Sequence, residues 1–123
     1  MLTDFLFMLI IVQLLFAVHW LLDYPLQGDF LANTKFGGLP PNGDMRFYHL
    51  VAHAGIQGAG VTVVLLWFIG PVAVIFGLAE WVAHILIDEA KVRDKISYAD
   101  DQALHLCCKM IWTIVLFLSG LLA

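Results

Sequence analysis

The chain has 123 residues, of which 62% are hydrophobic, and its formal net charge at pH 7 is −4. Charged residues make up only 13%, compared with about 25% in soluble globular domains, and the mean hydropathy is +0.91. This composition excludes an ordinary water-soluble domain, and the negative charge argues against nucleic acid as a partner. We expect one all-α integral membrane domain, residues 1–123, with membrane lipid around it.

A helix needs about 20 mainly apolar residues to cross a bilayer. The stretch Leu26–Phe36 mixes apolar and polar residues and could form a short interfacial or re-entrant helix, and residues 37–43 have the composition of a loop. Gly70-Pro71 predicts a tight turn. Four segments reach the spanning length and predict a small four-helix bundle: Phe5–Tyr24, Phe47–Ile69, Val72–Ala90 and Ala99–Leu122.

The basic residues outside these segments predict the orientation of the bundle. Lys35 and Arg46 lie in the first connection, and Lys91, Arg93 and Lys95 lie in the third. Cytoplasmic loops carry an excess of Lys and Arg. We therefore expect a multi-pass protein of the cell inner membrane, with these connections in the cytoplasm and both termini on the other side.

All five histidines stand four residues from a carboxylate or from another histidine. On an α-helix, side chains four residues apart share a face. Each pair lies near the predicted cytoplasmic end of its segment, so the four pairs should meet at one level of the bilayer. The pairs are His19/Asp23, His49/His53, His84/Asp88 and Asp101/His105.

These eight side chains are candidate metal ligands. Imidazole and carboxylate groups together suit borderline divalent metals, so we expect zinc first, with manganese or iron as alternatives. Eight candidates exceed the three protein ligands that a catalytic zinc usually takes. Either the site holds two ions, or one ion is held by some of the eight while the others orient those ligands through hydrogen bonds.

Two further polar residues continue these faces deeper into the membrane. Glu80 precedes His84 by one turn, and it could orient that ligand or act as a general base. Lys109 follows His105 by one turn. It could engage an anionic substrate, or its ammonium could reach the interface along an extended side chain. Intramembrane ionisable residues are functional candidates, so both are candidate catalytic residues.

The order of these residues carries a family resemblance. The chain reads His19-x-x-x-Asp23-Tyr-x-x-Gln27 and then Lys35, followed by His49 and His53, His84-x-x-x-Asp88 with Lys91, and Asp101-Gln102-x-x-His105. Over nearly its whole length it resembles a family of bacterial and phage membrane proteins catalogued as domain of unknown function 3307. It is also similar, more weakly, to small membrane-bound metal-dependent hydrolases, which implies that activity by analogy only.

Three functions fit this pattern. The first is a metal-dependent hydrolase of a phosphate-ester or lipid-linked substrate. The second is a small transporter or channel subunit for metal ions or protons, and the third is an interaction protein with a structural metal. The stretches Val61–Trp67 and Ile114–Leu122 are almost wholly apolar, which favours a one-sided site over a transport path. The sequence leaves open a homo-oligomer.

Overall fold

A computed structural model describes residues 2–35 and 45–122, and every element within them is helical. A single turn of 3₁₀-helix, Gly70–Val72, joins the third and fourth α-helices. The predicted all-α membrane bundle is confirmed. The α-helices are α1 (Leu2–Asp23), α2 (Gly28–Thr34), α3 (Arg46–Ile69), α4 (Ala73–Val92) and α5 (Tyr98–Leu118).

Most helix boundaries lie within three residues of the predicted ones, and α2 falls inside the predicted short helix Leu26–Phe36. One boundary was wrong, because α5 ends at Leu118 and not at Leu122. Gly120 adopts a left-handed backbone with φ of 73°, a conformation that ends helices because only glycine takes it without steric cost. The predicted loop 37–43 lies outside the described residues.

Three stretches of the described chain are long and apolar enough to cross a membrane: Leu2–Asp23, Arg46–Val92 and Tyr98–Leu118. The middle one contains the turn at Gly70–Val72, so it consists of two antiparallel helices, α3 and α4. In α5, Ser97 and Asp100 form a reciprocal capping box at the start of the helix. The Ser97 hydroxyl accepts a hydrogen bond from the Asp100 amide at 3.1 Å, which satisfies one unpaired backbone donor.

The four long helices form a ring in the order α1, α3, α4, α5, with α5 returning to α1. The α3–α4 contact is the most extensive, because small residues let the backbones approach closely. A Cβ on Gly58 would lie 2.5 Å from the carbonyl oxygen of Gly77. The indole of Trp81 donates to the Val51 carbonyl oxygen at 2.9 Å across the same contact.

Each long helix buries one stripe that is apolar at one end and polar at the other. In α1 the buried residues are Ile11, Leu15 and then His19. In α4 the stripe runs in the opposite direction, from Phe76 to His84 and Asp88. Because neighbouring helices alternate in direction, all the polar ends meet at one end of the bundle. The apolar ends form a core at the other end: Ile11, Leu15, Val61, Leu65, Ala73, Phe76 and Leu116.

The outer surface of the bundle is apolar. Trp67 is 90% exposed, Leu118 77% and Val63 69%. Histidines, carboxylates and two lysines, Lys35 and Lys109, are buried instead. An apolar exterior around a polar interior is the distribution expected of a protein whose solvent is lipid.

Candidate metal centre

The polar ends of the four long helices bring histidine, aspartate and glutamate side chains together. Within the described residues, three sets of three offer ligand atoms that all lie within 4.8 Å of one another. Neighbouring sets share members, so the three form one continuous cluster. The sets are Asp23–His53–His84, Asp88–Asp101–His105 and Glu80–His84–His105.

The first set joins α1, α3 and α4 across the bundle. His53 Nε2 lies 3.2 Å from Asp23 Oδ1 and 3.3 Å from His84 Nε2. Ligands about 2.1 Å from a tetrahedral metal are about 3.4 Å apart. Three side chains from three helices thus already have the mutual spacing of ligands to one ion.

The second set joins α4 and α5. His105 Nε2 lies 3.1 Å from Asp88 Oδ1 and 3.5 Å from Asp101 Oδ1. The Asp101–His105 contact is the i,i+4 pair expected from the sequence, whereas Asp88 reaches His105 from the neighbouring helix. This spacing also suits one divalent ion.

Asp88 belongs to the second set and also faces the histidines of the first. Its Oδ1 is 3.1 Å from His105 Nε2 and 3.6 Å from His84 Nε2, while its Oδ2 is 3.7 Å from His53 Nε2. Lys35, which follows α2, donates to the same Oδ2 at 3.1 Å. The side chain is 7% exposed, so one buried carboxylate connects every part of the cluster.

The third set is occupied by its own ion pair. Glu80 binds the ammonium of Lys109, and Trp112 donates its indole N–H to the other Glu80 oxygen at 2.7 Å. Lys109 and Glu80 are both fully buried. A cation in this set would have to compete with Lys109 for Glu80, which makes the third set a poor metal site.

Two of the predicted ligands lie outside all three sets. His19 is buried, and its ring centroid is 5.0 Å from that of His105 and 5.9 Å from that of His84. Both of its ring nitrogens are buried without a hydrogen-bond partner. His49 is buried farther out, and its ring packs edge-on against Phe30 with centroids 5.2 Å apart.

The family described as "Protein of unknown function (DUF3307)" matches residues 9–121. The chain belongs to the DUF3307 family. The matched range contains all eight candidate ligands together with Glu80 and Lys109. No curated protein and no solved structure matches the chain.

Sequence reasoning quoted Lys35 and Gln102 in the family pattern but missed that they tie the cluster of this DUF3307 protein together. Gln102 donates from Nε2 to Asp23 Oδ2 and to Asp101 Oδ2, at 3.1 Å each. Lys35 was interpreted mainly as a topology signal, yet it binds Asp88. The position of Gln102 beside Asp101 was a signal, but the contact with Asp23 depends on how α1 and α5 pack.

A polar cleft of about 280 Å³ opens onto the cluster. Asp23, Asp88 and Asp101 lie on its wall, and Lys35 and Lys91 line it as well. The Lys91 ammonium lies over the Tyr98 ring, 4.5 Å from its centroid. The cleft therefore combines carboxylates that could bind a cation with ammonium groups that could bind an anion.

The chemistry of the donor set fits a divalent cation. Three carboxylates converge here, and Lys35 donates to one of them, Asp88. With neutral imidazoles, two negative charges are left in excess in a buried site, an arrangement that is costly without a compensating cation. Buried ligand atoms without partners include both nitrogens of His19, His105 Nδ1 and Asp101 Oδ1.

Proposed function

We propose that this protein is a membrane-embedded, metal-dependent hydrolase that acts on a phosphate-ester or lipid-linked substrate. The observation that carries the proposal is a cluster of three aspartates and three histidines whose aspartates line a cleft that Lys35 and Lys91 also line. A binding centre of this composition, open on one side, suits a metal cofactor and an anionic substrate together. Zinc is the first expectation for the cofactor, with manganese or iron as alternatives.

The bound metal would polarise the scissile ester and lower the pKa of a water ligand. The chain's own residues would hold and orient the reactants. Asp23, His53 and His84 on one side, and Asp88, Asp101 and His105 on the other, would be the ligands. His19 would complete the coordination or orient a ligand, because its partnerless ring lies against the cluster.

Glu80 would orient His84 by accepting a proton or hydrogen bond from its Nδ1–H, which directs Nε2 to the metal. Its Oε1 lies 3.5 Å from His84 Nδ1, so the imidazole connects Glu80 to the ligand atoms around its Nε2. Lys109 binds Glu80 from the other side and would hold that carboxylate ionised. An anionic substrate could contact Lys109 only by displacing Glu80, which makes Lys35 and Lys91 better placed for the substrate.

The site is one-sided, and this favours hydrolysis over transport. Below Glu80 and Lys109, the buried residues become the apolar core at the far end of the bundle. An ion or proton path would need polar groups along that half. Because Lys35 and Lys91 belong to the connections with the Lys and Arg excess, we place the cleft on the cytoplasmic face of the inner membrane.

The test is elemental analysis combined with a hydrolysis assay on the detergent-solubilised protein. Wild-type protein supplied with Zn²⁺, Mn²⁺ or Fe²⁺ should retain metal and cleave bis(p-nitrophenyl) phosphate or release phosphate from phospholipid vesicles. His53→Ala should lose both properties, whereas His49→Ala should retain metal, because His49 lies outside the three sets. Failure of wild-type protein to bind any of the metals would refute the proposal, and stoichiometric metal without hydrolysis would favour a structural centre.

A further inference from the structure

The Asp88 carboxylate faces two sets of ligands with different oxygens. Its Oδ1 lies 3.1 Å from His105 Nε2, and its Oδ2 lies 3.7 Å from His53 Nε2 and accepts a hydrogen bond from Lys35 at 3.1 Å. His53 belongs with Asp23, and His105 belongs with Asp101. A carboxylate in this position can donate one oxygen to each of two cations, which in two-metal sites lie about 3.5–4 Å apart.

From this geometry we propose that the centre binds two divalent ions and that Asp88 bridges them. One ion would be held by Asp23, His53 and Asp88 Oδ2, and the other by Asp101, His105 and Asp88 Oδ1. The first ion would displace the Lys35 ammonium from Asp88 Oδ2 into the cleft that Lys35 lines. His84 Nε2 lies 3.3 Å from His53 Nε2 and 3.6 Å from Asp88 Oδ1, so it stands between the two positions. This inference rests on the proposed metal centre and specifies its nuclearity.

The contacts of Gln102 independently support two ligand groups, one around Asp23 and one around Asp101. Its amide donates to one carboxylate of each side, Asp23 and Asp101, at 3.1 Å in both cases. Each bond uses the Oδ2 atom, whereas Oδ1 of each aspartate faces a histidine. Gln102 is therefore a positioning residue that fixes the separation of the two sides and leaves an oxygen of each aspartate directed at the cluster.

Charge links a second ion to an anionic substrate. A single divalent ion would cancel the excess negative charge of the three aspartates beside Lys35. Two ions would leave the centre with a net positive charge, which an anionic phosphate group in the cleft could neutralise. The inferred substrate class is accordingly a phosphate ester whose charged group contacts both ions, with Lys35 and Lys91 on the same cleft.

The experiment uses the full-length protein in detergent, loaded with Mn²⁺ and freed of loosely bound metal. Elemental analysis should give two manganese ions per chain, and the electron paramagnetic resonance spectrum should show exchange coupling. One ion per chain, or two ions without coupling, would overturn the bridged pair while leaving metal binding intact. No bound metal would overturn both this inference and the proposed function.

Two aspartate-to-asparagine variants complete the test. Asp88→Asn should abolish the coupled signal, since an amide cannot bridge two cations. Asp94→Asn is the matched control, because Asp94 is exposed, lies beyond α4 and has a φ of 54°, which asparagine also tolerates. A coupled spectrum that survives in Asp88→Asn would show that Asp88 is not the bridge. If that variant does not fold, the wild-type count and spectrum still decide.

Discussion

Lys109 and Glu80 form a fully buried ion pair between α5 and α4, one helical turn deeper than His105 and His84. Trp112 provides a second hydrogen bond to the same glutamate. The pair closes the floor of the candidate metal centre and separates it from the apolar core. Breaking a buried pair leaves one uncompensated charge, which is far more costly than removing both charges together.

We expect Lys109→Met to lower the free energy of unfolding by about 3–5 kcal/mol, because Glu80 would stay buried with its charge unpaired. The double variant Lys109→Met/Glu80→Gln should recover most of that loss. Thermal unfolding in detergent, measured for both single variants and for the double variant, gives the coupling energy of the pair. Strictly additive losses would show that the two residues do not stabilise each other.

Gln102 should control metal affinity without being a ligand. Gln102→Leu removes the amide donor that holds Asp23 and Asp101. Loss of such an orienting group typically weakens metal binding by about 10–100-fold. Competition with a chelator of known affinity measures the change. The exposed Ala103→Leu on the same helix is the control, and equal affinities in all three proteins would contradict the positioning role.

Tyr24 lies just past the end of α1, and its hydroxyl is 2.5 Å from that of Tyr98. It also donates to Gln102 Oε1 at 3.1 Å. The hydrogen bond with Tyr98, together with burial and nearby negative charge, raises the pKa of Tyr24 to about 12 from the usual value of about 10. Tyr24 therefore keeps its proton throughout the physiological range, and that proton is shared between two acceptors, the Tyr98 hydroxyl and Gln102 Oε1.

Spectrophotometric titration of the tyrosines tests whether the hydrogen bond with Tyr98 raises the pKa of Tyr24. The chain has three tyrosines, and we expect a component of the tyrosinate absorbance to appear only near pH 12. That component should be missing in Tyr24→Phe and should move toward pH 10 in Tyr98→Phe. The raised pKa stabilises the folded state below pH 10, and this contribution should be lost as the pH rises through 12. An unchanged titration in Tyr98→Phe would refute the pairing.

Because α3 and α4 pack closely at Gly58, a larger residue there should destabilise the fold. Gly58→Ala would place a methyl group 2.5 Å from the backbone oxygen of Gly77, and backbone cannot rotate away as a side chain can. Overpacking of this kind costs about 1–3 kcal/mol, so the melting temperature in detergent should fall. Val63→Ile adds one methylene to a residue that is 69% exposed on the same helix, and it should leave the melting temperature unchanged.

The sequence by itself determined the fold class, the helices and the end of the bundle where the polar side chains meet. These follow from local physics, because apolar length defines a membrane helix and a spacing of four residues puts two side chains on one helix face. Seven of the eight candidate ligands lie in or against one cluster for that reason. The roles of these residues, the metal, the anionic substrate and the oligomeric state remain proposals.

Only the tertiary structure decided which side chains face one another across helices. The rotation of each helix about its axis places Asp88 between His53 and His105, closes Lys109 onto Glu80, and turns His49 toward Phe30 and away from the cluster. Gln102 meets Asp23 although 79 positions separate them in the chain. These contacts depend on how α1, α3, α4 and α5 pack against one another. The i,i+4 periodicity within a single helix carries no information about that packing.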